Sequence, residues 1–228
     1  MNAEVAELRR KLAAIEPCPE GACSFQGRPL MRGTAFFPGG DGLWKSDWCV
    51  APALPVGGVL FLGSDFGDVY SYQHEFRDDE SDGATWRGLR KLLHLAEIPH
   101  EQIFCTNAWP CLRAGASAIK GGVPASRDRE FTQRCEVFFS ATLDLMRPRL
   151  VVPLGLKPTA FLSFLGPAGT WPWGRANSWP LIDETPIWRR EDFTVVPIVH
   201  PSMPNRRHRK HAYTIDAEAE LIRSALDG

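Results

Sequence analysis

Four apolar runs of the sequence end on residues able to do chemistry. "GVLFLG" passes into Gly63-Ser64-Asp65, "QIFCTN" closes on Thr106-Asn107, "RLVVPLG" reaches Gly155, and "FTVVPIV" delivers His200-Pro201-Ser202. A carboxylate handles a cation or a water molecule. A carboxamide reads the polar edge of a planar ligand through one donor and one acceptor, and an imidazole stabilises an anion. Taken singly, each also has a plainer role: Asp65 as a helix cap or turn residue, Asn107 as a turn residue, His200 in a local hydrogen bond. Their joint arrival at the ends of apolar runs singles them out. Just past His200 come Asn205 and an unbroken run of Arg, Lys and His from Arg206 to His211. A chain of net charge -1 is no general polyanion binder, so this run is a local patch, facing either a polyanion or solvent.

The elements that must position these residues follow from periodicity. The four runs read as buried strands, being short, apolar and rich in β-branched residues. Between them, "TWRGLRKLLHLAEI" predicts a helix with Trp86, Leu89, Leu93 and Ala96 facing inward. Residues 127–146 predict another, burying Phe131, Cys135, Phe138, Phe139 and Met146; "KPTAFLSFL" predicts a short one, and residues 214–226 a closing one. Val5, Leu8, Leu12 and Ile15 give an amphipathic helix over 2–15 that stops before Pro17, and residues 16–56, rich in Pro and Gly, follow as an irregular segment. Alternating strands and helices predict the α/β class: one domain over residues 1–228, three layers α/β/α around a central four-stranded parallel sheet, with 1–56 packed on the core 57–228. Such sheets bind ligands beyond the carboxyl ends of their strands, where the polar residues fall.

A chain of 228 residues with a hydrophobic fraction of 44% can bury one large core. Its apolar runs fall well short of the roughly 20 residues that span a bilayer, and the acidic opening "MNAEVAELRRKLAAIEP" has no cleavable apolar segment. The expectation is a cytoplasmic protein without a membrane partner. There the six cysteines stay reduced, as metal ligands or as buried thiols. Cys49 and Cys105 read as structural, Cys105 within a strand.

"GSDFG", "TNAWPC", "RPRLVVPLG" and "HPS", in that order and in those strand contexts, resemble the uracil-DNA glycosylase superfamily from about residue 57 to residue 205. The resemblance implies a monofunctional DNA glycosylase of base excision repair that hydrolyses the N-glycosidic bond of uracil in DNA, with the base flipped into a pocket at the strand ends. By that likeness Asp65 orients water and stabilises the cationic sugar, with Asp68 as its understudy. His200 donates to uracil O2 as it becomes anionic, and Asn107 pairs with the uracil edge and discriminates against cytosine. Gly63, Ser64 and Phe66 belong to the base-binding motif. Trp86 stacks on the base, with Phe66, Tyr70 and Phe76 as rivals. Ser202 binds a backbone phosphate, and Asn205, Arg206, Arg207, Arg209 and Lys210 supply contacts to flanking phosphates. Cys18, Cys23, Cys111 and Cys135 fall where one branch of the superfamily holds a 4Fe–4S cluster. No lysine stands at a motif position, so no Schiff-base lyase step is implied. The partner is DNA containing uracil or an abasic site, and base flipping needs only a monomer. The stretch "GSDFGDVYSYQHEFRDDESDG" matches no branch's first motif in full. That keeps open a non-catalytic or very slow binder of uracil-containing or abasic DNA, beside an unrelated α/β hydrolase or nucleotide-processing enzyme that uses His200.

Overall fold

The computed structural model describes residues 3–24, 54–69, 84–114, 123–167, 170–173, 178–203 and 214–228. Its strands are β1 (Ala22–Cys23), β2 (Val59–Gly63), β3 (Ile103–Asn107), β4 (Leu112–Arg113), β5 (Leu150–Pro153), β6 (Trp188–Arg189) and β7 (Thr194–Val195). Its α-helices are α1 (Ala3–Ala13), α2 (Ala84–Leu95), α3 (Arg129–Met146), α4 (Leu156–Phe161), α5 (Trp179–Glu184) and α6 (Ile215–Asp227).

The fold is α/β, with a central sheet in the order β3-β2-β5-β7-β6 flanked by helices. β2 pairs parallel with β5 from Val59 opposite Leu150, and β5 pairs parallel with β7 from Leu150 opposite Thr194. Every residue of β2, β3 and β5 is buried, as expected of strands covered on both faces. The four predicted strands are all present. The sheet is nevertheless five-stranded and mixed rather than four-stranded and parallel, because Trp188 and Arg189 pair antiparallel with Val195 and Thr194. Trp188 and Arg189 stand outside any apolar run, unlike Thr194 and Val195 within "FTVVPIV", so sequence reading passes over β6. The same holds for β1 and β4, which form a separate antiparallel ribbon.

The chain divides into two compact units. The first takes in residues 1–54, 63–81 and 104–146. There α1 lies against α3, burying Leu8, Leu12 and Ile15 together with Phe131, Cys135, Phe138 and Phe139. Arg134 of α3 donates to the carbonyl oxygens of Ile15 at 2.8 Å and Pro17 at 2.9 Å, tying down the chain as it leaves α1. α3 begins two residues later than periodicity suggests. Pro124–Arg127 form a 3-10 turn, and Asp128 caps the helix by accepting from Phe131 N at 2.7 Å.

The second unit takes in residues 55–62, 82–103 and 147–228. α2 packs on α6, with Leu89, Leu92 and Leu93 buried on one and Ala219, Ile222 and Ala225 on the other. Arg223 donates to the Leu95 carbonyl at 2.7 Å and so closes the carboxyl end of α2. Trp171 meets Trp173 and Trp188 edge to face, at centroid distances of 4.9 and 4.8 Å. No described helix is long and apolar enough to cross a membrane.

Candidate active site

In the first unit the loops that leave β2 and β3 are zipped together by backbone hydrogen bonds. Ala108 N donates to Gly63 O at 2.9 Å, Trp109 N to Ser64 O at 2.9 Å, Phe66 N to Cys111 O at 3.1 Å and Arg113 N to Gly67 O at 2.8 Å. Gly63 is required sterically, since a Cβ there would collide with Asn107 Oδ1. That close approach fixes the Asn107 side chain, which is buried at the end of β3. The hydroxyl of Thr106, one residue earlier, is buried with no partner among the described residues.

Asp65 is held from three directions. Arg113 donates from Nε to Oδ2 at 2.7 Å and from Nη2 to Oδ1 at 3.0 Å, and Gly67 N donates to Oδ1 at 3.1 Å. The Asp65 side chain is only 2% exposed, and hydrogen bonding to it raises the basicity of Arg113 further. Sequence reading missed Arg113, which stands 48 residues from Asp65 and belongs to no motif. β4 brings it there, with Arg113 paired to Ala22 and its backbone bridged to the buried Asp68.

His200, Pro201 and Ser202 lie in the second unit, as does Gly155. Gly155 makes the turn from β5 into α4 at φ 97° and ψ 179°, a conformation open essentially to glycine alone, and its amide donates to Ile198 O at 2.8 Å. A Cβ at Gly155 would stand 3.7 Å from His200 Cβ, so the β5 turn passes directly by the imidazole-bearing residue. Met203 N donates to His200 O at 2.9 Å, closing the turn. Ser202 N donates to His200 Nδ1 at 3.3 Å, and Ser202 Oγ lies 2.8 Å from the same nitrogen. A backbone N–H can only donate, so this contact uses the Nδ1 lone pair and suits the tautomer that carries its proton on Nε2. From behind, α2 closes on the turn at Gly88, where a Cβ would strike the carbonyl oxygen of Pro201.

The structure thus groups Gly63, Ser64, Asp65, Phe66 and Asn107 in one unit, and His200 with Ser202 in the other. Trp86 falls in the first turn of α2, but its side chain lies outside the described residues, as do Tyr70, Phe76, Asn205, Arg206, Arg207, Arg209 and Lys210.

Cys18, Cys23, Cys111 and Cys135 all belong to the first unit, as free thiols on four segments. Cys23 is in β1, paired with Leu112 beside Cys111, and Cys135 follows the Arg134 that holds Ile15 and Pro17. Burial pushes the Cys111 thiol well up, followed by the charges of Asp65, Cys18, Cys135 and Cys23; burial likewise raises Cys135, with Cys18 adding to it. Cys18 is raised to about 11 by burial, Glu16 and Cys23. Among the described residues no group of three or more His, Cys, Asp and Glu is arranged to hold a single metal ion. Cys105 is apart from them, fully buried in β3 with its thiol raised to about 12 by burial.

A family model described as Uracil DNA glycosylase superfamily matches residues 58–222. No curated protein matches the chain.

Proposed function

The chain belongs to the uracil DNA glycosylase superfamily, and from that membership we propose that it is a monofunctional glycosylase which hydrolyses the bond between uracil and deoxyribose in DNA. The observation that carries the reading is the contact of Ser202 N with His200 Nδ1, which suits a proton on Nε2. When the glycosidic bond breaks, its electron pair leaves with the base, and negative charge gathers on uracil N1 and O2. A neutral imidazole that donates from Nε2 is suited to that charge, because the bond it makes strengthens as the charge develops. The positive sugar left behind takes up water at C1′, and the proton that this water releases passes to solvent, balancing the charge of the departing uracil anion. In this reading Asp65 supplies negative charge beneath the sugar, and Asn107 pairs with the uracil edge. Ser202 holds His200 Nδ1 through its amide, and its single hydroxyl proton serves either that nitrogen or, on binding, a backbone phosphate.

Cys18, Cys23, Cys111 and Cys135 would hold a 4Fe–4S cluster in this reading. Such a cluster, when bound, supplies cross-linking of the four segments and no step at the glycosidic bond. Arg206, Arg207, Arg209 and Lys210 would contact phosphates flanking the extruded nucleotide. The protein would work as a cytoplasmic monomer, on DNA containing uracil or an abasic site.

A second reading is favoured by the clamp on Asp65. A carboxylate with both oxygens engaged by Arg113 has part of its charge balanced in advance, as suits a binder of uracil-containing or abasic DNA with little or no turnover. One experiment separates the two. A uracil-containing duplex is incubated with the protein, then read for strand cleavage after alkali and for retention in a gel shift, with a thymine duplex alongside. Uracil-dependent alkali-labile sites support the glycosylase. Retention without such sites supports the binder, and neither result on any deaminated or damaged base would remove both.

A further inference from the structure

Backbone amides along β7 and its continuation alternate between two sides. Those of Thr194, Val196 and Ile198 donate to the carbonyl oxygens of Arg149, Val151 and Pro153 at 3.0, 3.0 and 3.1 Å, all on the β5 side. The intervening positions 195, 197 and 199 face the other edge. There β6 pairs only at Trp188 and Arg189, opposite Val195 and Thr194, and reaches no further. Position 197 is proline and has no amide to satisfy. Val199 has one, it is fully buried, and it is the residue before His200. Its N–H donates to Oε1 of Glu218 at 2.7 Å.

Glu218 is itself wholly buried, in the first turn of α6, where the helix dipole favours a carboxylate. Thr214 sets the start of that helix, accepting from Ala217 N at 3.1 Å. Hiding a carboxylate is costly, and an apolar residue in its place would leave the Val199 amide buried and unpaired. The side chain thus stands in for a missing sheet neighbour at the point where β7 hands over to the His-Pro-Ser turn. On the far side of the turn, Gly88 of α2 abuts the Pro201 carbonyl.

We propose that Glu218 is a positioning residue for His200: by holding the amide of Val199 it fixes the backbone from which the imidazole projects, and so keeps Nδ1 on Ser202 and the Nε2 proton directed outward. The inference rests on the reading in which His200 serves the leaving base, but its test does not depend on that reading.

Three variants are compared: Glu218→Leu, which removes the acceptor while keeping volume, Glu218→Gln, which keeps one acceptor oxygen, and Thr214→Ala, which weakens α6 at its cap without touching Val199. Each is read for kcat and KM on a uracil-containing duplex, for thermal unfolding, and by nitrogen–proton correlation spectra of the His200 imidazole and the Val199 amide. For Glu218→Leu, kcat falls on the order of 10²-fold with KM little changed, and the imidazole signals move from the Nε2-protonated pattern toward a mixture of tautomers. Glu218→Gln recovers most of the rate. Thr214→Ala lowers the unfolding temperature but leaves kcat and the imidazole spectrum as in the parent. A purely structural Glu218 would instead give a loss of rate that follows unfolding in all three, with an unmoved imidazole spectrum, and that result overturns the proposal. Should Glu218→Leu fail to fold, Glu218→Asp decides, because the shorter side chain keeps the carboxylate but withdraws it from Val199: the Val199 amide signal must shift, and a His200 imidazole that does not shift with it rejects the coupling. Because the spectra need no substrate, a parent protein inert on uracil DNA would refute the proposed function and still leave this inference to be judged.

Discussion

Asp65 and Arg113 share hydrogen bonds of 2.7 and 3.0 Å, and their side chains are only 2% and 18% exposed. Removing one member leaves the other's charge buried without its partner, a loss of roughly 3–5 kcal/mol, whereas removing both costs far less than the sum. Asp65→Ala and Arg113→Ala are therefore each expected to lower the urea midpoint strongly, and the double variant to recover part of the loss. Single effects that are small and additive would show that the pair is not coupled. Gly63 makes a second residue-scale prediction. In Gly63→Ala the new methyl displaces Asn107 Oδ1, at an overpacking cost of about 1–3 kcal/mol. Selectivity for uracil over thymine duplexes should fall by a larger factor than overall DNA affinity, as competition binding would reveal.

At the scale of elements, the contact of α2 with the His-Pro-Ser turn sets two effects of opposite sign against each other. Alanine in place of Gly88 raises helix propensity by about 1 kcal/mol. Its Cβ also strikes the Pro201 carbonyl, which is backbone and cannot swing aside. The clash wins, so Gly88→Ala should lower both the unfolding temperature and kcat; a stabilised, fully active variant would mean that the turn accommodates a displaced α2. Gly155→Ala tests the same turn from β5. A non-glycine residue at φ 97° costs about 1–3 kcal/mol, and the strain falls next to His200.

For the whole molecule, the four cysteines and the basic run lead to separate measurements. Protein purified without chelators is expected to contain iron and to be yellow-brown, and Cys135→Ser should lose both iron and colour, with a lower unfolding temperature. Colourless, iron-free protein prepared anaerobically would leave the four as packing residues. Replacing Arg206 and Arg207 with Ala should weaken binding to every DNA sequence alike and flatten the log K against log[salt] slope by roughly one unit per lost contact. An unchanged slope would mean that this run faces solvent.

Burial is written locally, in runs and periods. That is why β2, β3, β5 and β7, the faces of α1 and α3, and the polar residues at the strand ends were legible in the sequence, together with the α/β class they imply. The short strands β1, β4 and β6 lie in no apolar run of the kind that marks β7, so they became visible only through their partners. The same holds for the pairings that tune the site. Arg113 reaches Asp65 across 48 residues and Glu218 reaches the amide of Val199 across 19. Neither partner carries a local signature, because a charge looks the same in sequence whether it faces water or a buried group. Chain packing decided which carboxylate would be clamped and which would complete an unfinished sheet edge, since only the folded chain removes water from both partners at once.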